Sequence, residues 1–440
     1  MKEPRPPARS PAADAPGLAA RRAAADAVQS VMETGHPLEE TLERLTRELD
    51  ERDRALARMI AATTLRKQGS LRALLRTLME RGIPEKARRV EMLMLVGAAQ
   101  ILFMDVPDHA AVGTTVTLVG EQASTAGFKG LANAVLRRIT REGRAILPDV
   151  ADQPEWMVEG WTAAYGPAAG EAISRALAHE APLDLTAREN PDILAEKLGG
   201  RLLPTGSIRL VEAGNVTALA GFEAGEWWVQ DAAAALPARL LHPAAGMSIA
   251  DLCAAPGGKT AQLAAAGARV VAVDRSAPRL RRLKANMARL NLAVDILEAD
   301  ATRLKAGPFD AVLLDAPCSA TGTIRRHPEV AWTKAPADIV SLAALQTRLL
   351  ANAAELVKQG GVLVYSTCSL EPEEGERQIA AFLAQRPDFS REPVTPGECG
   401  IPAEWINDAG EVRTLPTHLP DEDPRYAGLD GFFAARLRKG

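Results

Sequence analysis

Apolar residues in the first third of the chain recur at three- and four-residue spacing, as in Leu71, Leu74, Leu75 and Leu78. That is the period of a helix with one buried face. The pattern holds from Leu18 to about Arg144 and no β-rich segment interrupts it. Breaks are predicted at Gly35-His36-Pro37, Gly69-Ser70, Gly82-Ile83-Pro84, Val106-Pro107-Asp108 and Ala126-Gly127, by their Gly, Pro or N-cap chemistry. The expectation is an all-α bundle of about six to eight helices. Its most apolar run, Leu93 to Met104, contains Gly97 and Gln100. The run falls short of the roughly 20 residues that span a bilayer and reads as a buried helix.

Pro148, Asp149, Asp152, Gln153 and Pro154 mark a linker. More helix is predicted from Glu155 to His179. Short strands are expected at Pro182–Arg188 and Ser207–Val211, around a helix from Pro191 to Leu198. From Trp227 the pattern alternates. Met247–Cys253, Ala268–Asp274, Val294–Glu298, Asp310–Asp315 and Gly361–Ser366 are short apolar runs bounded by Gly, Pro or Asp. Helical stretches such as Arg279–Leu290 and Ile339–Lys358 lie between them. Strands alternating with helices imply a parallel sheet with helices on both faces. The expected organisation is therefore multidomain. It has a disordered tail (1–17), an all-α domain (18–147), a small α+β linking module (148–228) and a Rossmann-like α/β domain (229–440).

Composition narrows the class. Hydrophobic residues are 47% and charged residues 25%, which excludes a mostly disordered, collagen-like or coiled-coil chain. The N-terminus, MKEPRPPARSPAADAPG, has no apolar core of a signal peptide. Four cysteines in 440 residues are too sparse for a disulfide scaffold. A cytoplasmic protein with reduced thiols and no membrane association is expected. Net charge is −4, but residues 1–150 hold 23 Lys+Arg against 19 Asp+Glu. From Arg52 to Arg89 the ratio is 11 to 3, which suggests a surface that meets an anionic polymer.

Ligands of such sheets bind at the carboxyl ends of the strands. The first strand runs into DLCAAPGGKT, Asp251 to Thr260, whose glycines permit close backbone approach. The second ends in Asp274, 16 residues beyond Gly258, where a carboxylate can take both hydroxyls of a ribose. Asp300 follows the third strand and Asp315 ends the fourth. A P-loop is excluded because Cys253 stands where its first Gly is required. The dinucleotide motif G-x-G-x-x-G is absent too. A ribose-and-adenine site without a phosphate cradle suits S-adenosylmethionine. Cys318 follows the fourth strand and Cys368 the fifth. Neighbouring parallel strands lie about 4.8 Å apart, so Asp315, Cys318 and Cys368 could converge on one cleft. No metal site is expected, since neither cysteine is in a C-x-x-C and the six histidines are scattered.

DLCAAPGGKT, VVAVDRSAPRLRRLKANMARL, DAPCSATGTIRRHPEVAW and LVYSTCSLEPEEGE closely resemble the motifs of RNA cytosine-5 methyltransferases of the Sun (Fmu, RsmB) family. VPDHAAVGTTVTLV and GLANAVLRRI resemble that family's NusB-like RNA-binding domain, and GFFAARLRK its closing strand. The resemblance covers nearly all residues after about 18. It implies a class I methyltransferase that uses S-adenosyl-L-methionine to methylate carbon 5 of a cytosine in 16S ribosomal RNA, acting as a monomer. It further implies Cys368 as nucleophile, Cys318 in product release, and Asp315 at the N3 edge of the base and in the cofactor pocket. Cys253, Ala254, Ala255, Pro256, Gly257, Gly258 and Lys259 would wrap the methionine portion. Asp274 would hold the ribose and Asp300 the adenine side. Arg325, Arg326 and His327 would approach the RNA backbone. Two departures stand out: Glu329 replaces an Asp of the family loop, and Asp300-Ala301-Thr302 departs from its acidic-Gly pattern.

Two rival readings are open to test. An amino-group methyltransferase would carry D/N-P-P-Y/F after the fourth strand, where this chain has Pro317-Cys318. A non-catalytic RNA-binding module with a decayed catalytic domain is opposed by intact Asp315, Cys318 and Cys368.

Overall fold

Residues 16–79, 82, 87–211 and 213–440 are described in the structure, a computed structural model. The expected N-terminal tail and the Gly82-Ile83-Pro84 break fall largely outside them. The chain forms two compact units. One comprises residues up to Met157 together with His327–Thr333; the other comprises Val158–Arg326 and Lys334–Gly440.

The first unit is helical, as the three-and-four spacing requires. Its helices are α1 (Leu18–Thr34), α2 (Leu38–Leu45), α3 (Glu51–Arg66), α4 (Gln68–Leu78), α5 (Arg88–Phe103), α6 (Asp108–Glu121) and α7 (Lys129–Glu142). Asp50 caps α3 by accepting the Asp53 N–H at 2.7 Å. α5 is buried from Met92 to Leu102, because a helix apolar all round has no face to offer water. Its one polar intruder, Gln100, accepts the Arg21 Nε–H at 2.7 Å and donates to the Val96 carbonyl. Gly69-Ser70 is not a break: the chain turns at Lys67 and both residues lie in α4. Gly69 is there for contact, since a Cβ on it would stand 2.2 Å from the Ala151 carbonyl oxygen. Ser70 N–H and Oγ both donate to Asp152 Oδ1, which ties the linker down.

The second unit begins with a helical pair, α8 (Glu155–Tyr165) and α9 (Pro167–Leu177). The helical stretch expected over Glu155–His179 is divided at Gly166, whose φ of 88° no other residue adopts readily, and Pro167 starts the next helix. A small antiparallel sheet follows, in the order β2 (Arg201–Leu202), β3 (Ile208–Leu210), β1 (Leu183–Ala187), β4 (Trp227–Val229), with α10 (Pro191–Leu198) against it.

The main sheet uses β5 (Ser248–Leu252), β6 (Arg269–Asp274), β7 (Asp295–Glu298), β8 (Phe309–Asp315), β9 (Val357–Thr367), β10 (Phe389–Arg391), β11 (Val412–Thr414) and β12 (Phe432–Lys439). Its order is β10-β12-β9-β8-β5-β6-β7, with β11 paired to β12. β5 to β9 are mutually parallel, so their carboxyl ends share one edge. β12 runs antiparallel to β9, with Phe433 opposite Thr367, so the sheet is mixed rather than all-parallel. Side-chain alternation divides the core. Ile249, Leu313 and Val364 face α11 (Leu236–Arg239) and α12 (Gly258–Ala265). Leu252, Leu314 and Tyr365 face α15 (Pro336–Glu355) and α16 (Glu376–Gln385). In chain order between these come α13 (Ala277–Leu290), capped by Ser276, and, in the first unit's segment, the short α14 (Val330–Thr333).

Candidate active site

Every functional position read from the second unit's strands falls on the shared carboxyl edge. β5 delivers the chain into Cys253 at φ 62° and Gly257 at φ 106°. Gly257 is obligatory: a Cβ there would meet Leu283 at 3.0 Å and Met287 at 3.2 Å, beside a left-handed backbone. The next helix starts at Gly258, directly after that glycine. Thr260 turns inward and donates its hydroxyl to Asp251 Oδ2 at 2.6 Å.

Three carboxylates line this loop, in different surroundings. Asp251 is fully buried, and burial pushes its pKa up to about 7. Its Oδ1 has no hydrogen-bond partner. Asp274, at the end of β6, accepts from Ser276 N–H at 2.9 Å and Ala255 N–H at 3.3 Å, and Arg279 lies 3.3 Å from it. Asp315, at the end of β8, accepts the Lys259 ammonium at 2.8 Å and the Ser366 hydroxyl at 3.0 Å. The Cys253 thiol is pushed up to about 12 by burial and then by Asp274, so it stays protonated and acts as wall rather than nucleophile. Asp300 is exposed beyond the edge strand β7, its pKa lowered by the Thr302 N–H and hydroxyl.

These residues fit a sulfonium-bearing nucleoside. An orphaned buried carboxylate oxygen, a glycine-lined turn and two more acceptor carboxylates suit an amine, ribose hydroxyls and a positive centre. The basic side chains bonded to two of those carboxylates, Lys259 and Arg279, are the groups such a ligand must share them with.

Beside Asp315 the two sequence-predicted thiols meet. Cys318 Sγ and Cys368 Sγ are 3.4 Å apart. β8 and β9 are neighbours in register, Asp315 opposite Ser366, and each cysteine lies two or three residues past that pair. Backbone bonds fix the two loops together: Ala316 N–H to Ser366 O at 2.9 Å and Gly322 N–H to Cys368 O at 3.1 Å. The Cys318 thiol is raised well above its ordinary value by its hydrogen bond to Cys368 and by burial.

Beneath the thiols sits a buried polar layer that the sequence reading did not single out. Glu374 is fully buried and accepts from Ser319 N–H at 2.9 Å, from the Ser319 hydroxyl at 2.5 Å and from Gln346 Nε2 at 3.0 Å. Ser319 also meets Ser369 at 3.1 Å. This layer holds the loops of both cysteines to one carboxylate. The acidic run after Cys368, Glu371 to Glu374, was the available signal.

Arg325 is 3% exposed, and its guanidinium donates to the Glu180 and Ala427 carbonyls. Arg326 donates to Asp231 at 2.6 Å and Asp430 at 3.1 Å, with Asp184 3.8 Å away. Both guanidinium groups are thus engaged within the protein, Arg325 by backbone carbonyls and Arg326 by carboxylates. His327 lies in the first unit, solvent-exposed, 3.7 Å from Glu329. Glu329 is buried there and accepts the Leu38 N–H at 3.2 Å.

A family profile described as 16S rRNA methyltransferase RsmB/F matches residues 238–438, and a NusB family profile matches 18–141. The ribosomal RNA small subunit methyltransferase B of Klebsiella pneumoniae (strain 342) is 36% identical over 446 residues, covering 95% of this chain and 98% of its own. That of Sodalis glossinidius is 39% identical, covering 94% and 96%. The crystal structure of PH0851 aligns over 97% of this chain and 99% of its own, with a TM-score of 0.75 at 23% identity, which speaks for the fold alone.

Proposed function

The chain belongs to the RsmB/F family of 16S ribosomal RNA methyltransferases, and from that premise we propose that it methylates carbon 5 of a specific cytosine of that RNA through a covalent Cys368–base adduct. The observation that carries this reading is the pair of thiols 3.4 Å apart beside Asp315. Carbon 5 of cytosine is a poor nucleophile. A Cys368 thiolate adding to carbon 6 places an electron pair on carbon 5. S-adenosylmethionine, when bound, supplies an electrophilic methyl group for it. Cys318, whose thiol is raised well above its ordinary value, is placed to donate its S–H to a Cys368 thiolate and so favour that thiolate. Asp315, anchored by Lys259 and Ser366, is set to hydrogen-bond the N3 edge of the base. Elimination then needs the carbon 5 proton removed: once the Cys368 sulfur is bonded to carbon 6 and no longer accepts the Cys318 S–H, Cys318 gives that proton to water and its thiolate takes the proton from carbon 5. The C5=C6 bond re-forms and the Cys368–carbon 6 bond breaks, the sulfur leaving with the electron pair.

The base has to be unstacked to reach half-buried thiols, which favours a loop or an early small-subunit particle as substrate. The basic run from Arg52 to Arg89 in the helical unit supports an RNA-positioning role for it, and the reaction belongs to the cytoplasm. The test is 16S RNA carrying tritium at carbon 5 of cytosine. One tritium released per methyl incorporated is expected. Methyl incorporation with tritium retained would move the reaction to another atom.

A further inference from the structure

The second unit carries a cavity of about 420 Å³ away from the thiols and the cofactor loop. It is lined by the last turn of α12 (Ala265, Ala266), the end of α11, the edge of the small sheet and the turn at Cys399. Its charged lining is one-sided: Arg188, Arg239 and His242 contribute, and no Asp or Glu does. Glu398, beside Cys399, is already taken by Arg436 and His242, the latter at 2.8 Å. Arg188 spends one donor on the Leu290 carbonyl and has Glu189 at 3.7 Å, with a third of its side chain exposed.

Arg239 is different. It is partly buried; its carbonyl accepts the His242 N–H at 2.9 Å, but its guanidinium has no hydrogen-bond or ion-pair partner among the described residues. Its guanidinium is pressed against Gly206, where a Cβ would stand 2.9 Å from Nη1. Burial lowers its pKa, the mark of a cation without a counter-charge. A guanidinium fixed in place with unspent donors is matched by a bidentate oxyanion. Thr186 and Gln262 supply neutral polar groups on the same wall, and the volume admits a phosphate with the sugar it esterifies.

We infer that this cavity is a phosphate-ester site, with Arg239 gripping the phosphate and Arg188 and His242 at its rim. The phosphate is either a backbone phosphate of the bound RNA, which rests on the proposed function, or that of a free nucleotide, which does not.

The test uses the full chain and two variants, Arg239→Gln and the more exposed Arg188→Gln. Inorganic phosphate and adenosine monophosphate are titrated by calorimetry, and a 16S RNA fragment is titrated across a salt series. If RNA is the source, Arg239→Gln weakens RNA binding about tenfold and lowers the salt slope by about one, with S-adenosylmethionine affinity unchanged. If a free nucleotide is the source, Arg239→Gln abolishes the adenosine monophosphate heat and leaves the RNA slope as it was. Should Arg239→Gln fail to fold, Arg188→Gln is expected to give the same pattern, weakened threefold or so. Unaltered binding of phosphate, nucleotide and RNA in both folded variants would overturn the inference. Because the phosphate and nucleotide arms need no RNA, failure of the proposed reaction shows separately, in the tritium assay.

Discussion

Cys318 and Cys368 stand 50 positions apart in the chain, yet their sulfur atoms are 3.4 Å apart and share a hydrogen bond. Two thiols so placed are interchangeable by distance, and only their chemistry separates them. Cys368→Ala should give neither methyl transfer nor adduct. Cys318→Ala should still let Cys368 attack, and the enzyme should then remain bonded to its RNA as a complex that survives denaturing electrophoresis. A trapped complex in Cys368→Ala and none in Cys318→Ala would reverse the roles.

Asp274 organises the cofactor loop through Ser276 and Ala255 as well as offering acceptors to a ribose. Asp274→Ala should weaken S-adenosylmethionine binding by about 1–3 kcal/mol. Calorimetry measures this directly, and unchanged affinity would remove Asp274 from the pocket.

Arg326 binds carboxylates from three distant segments, at Asp184, Asp231 and Asp430. Arg326→Met should cost about 3–5 kcal/mol in urea unfolding, because it leaves Asp231 and Asp430 buried without their bonded cation, while Asp184 keeps its ion pair with Arg209 at 2.7 Å. The loss should be smaller at pH 5 than at pH 8, since protonated carboxyls need no cation. Burial already raises Asp430 to about 7 in the intact protein. A folded Arg326 variant should keep the salt slope of RNA binding, which separates this interior role from a phosphate contact.

Asp251 is held near 7 against an ordinary carboxyl value of 3.8. A folded-state pKa raised this way contributes stability present at low pH and lost as pH rises through about 7. Asp251→Asn should therefore become steadily more stabilising from pH 5 to pH 8 relative to the parent, the gain growing by on the order of 2–3 kcal/mol without cofactor. Melting temperatures across that range are the measurement. A difference that does not grow with pH would show that Asp251 ionises freely in the fold.

What the sequence made legible follows from what is local in the chain. Asp274 and Asp315 could be placed because apolar runs end in them, and the thiols because each follows such a run. The carboxylate partners of Arg326 were not legible because they lie 95, 104 and more residues away, a tertiary relationship that no spacing encodes. Gly69 looked like a helix break, since packing against Ala151 and helix termination call for the same residue. Glu374 sits in a run of acids that reads as a solvated face; only the fold shows that it turns inward to Ser319.

His327–Thr333 belongs to the helical unit, although in sequence it lies far inside the second. Trp332 donates its indole N–H to the Leu65 carbonyl, Arg72 stacks over its ring, and Glu329 accepts from Leu38. The helical unit is thus discontinuous in the gene. Its cut-and-paste replacement by a relative's first 157 residues would import a partner surface for Leu38 and Leu65 without the seven residues that complete it. Functional chimaeras of this chain should need both segments exchanged together.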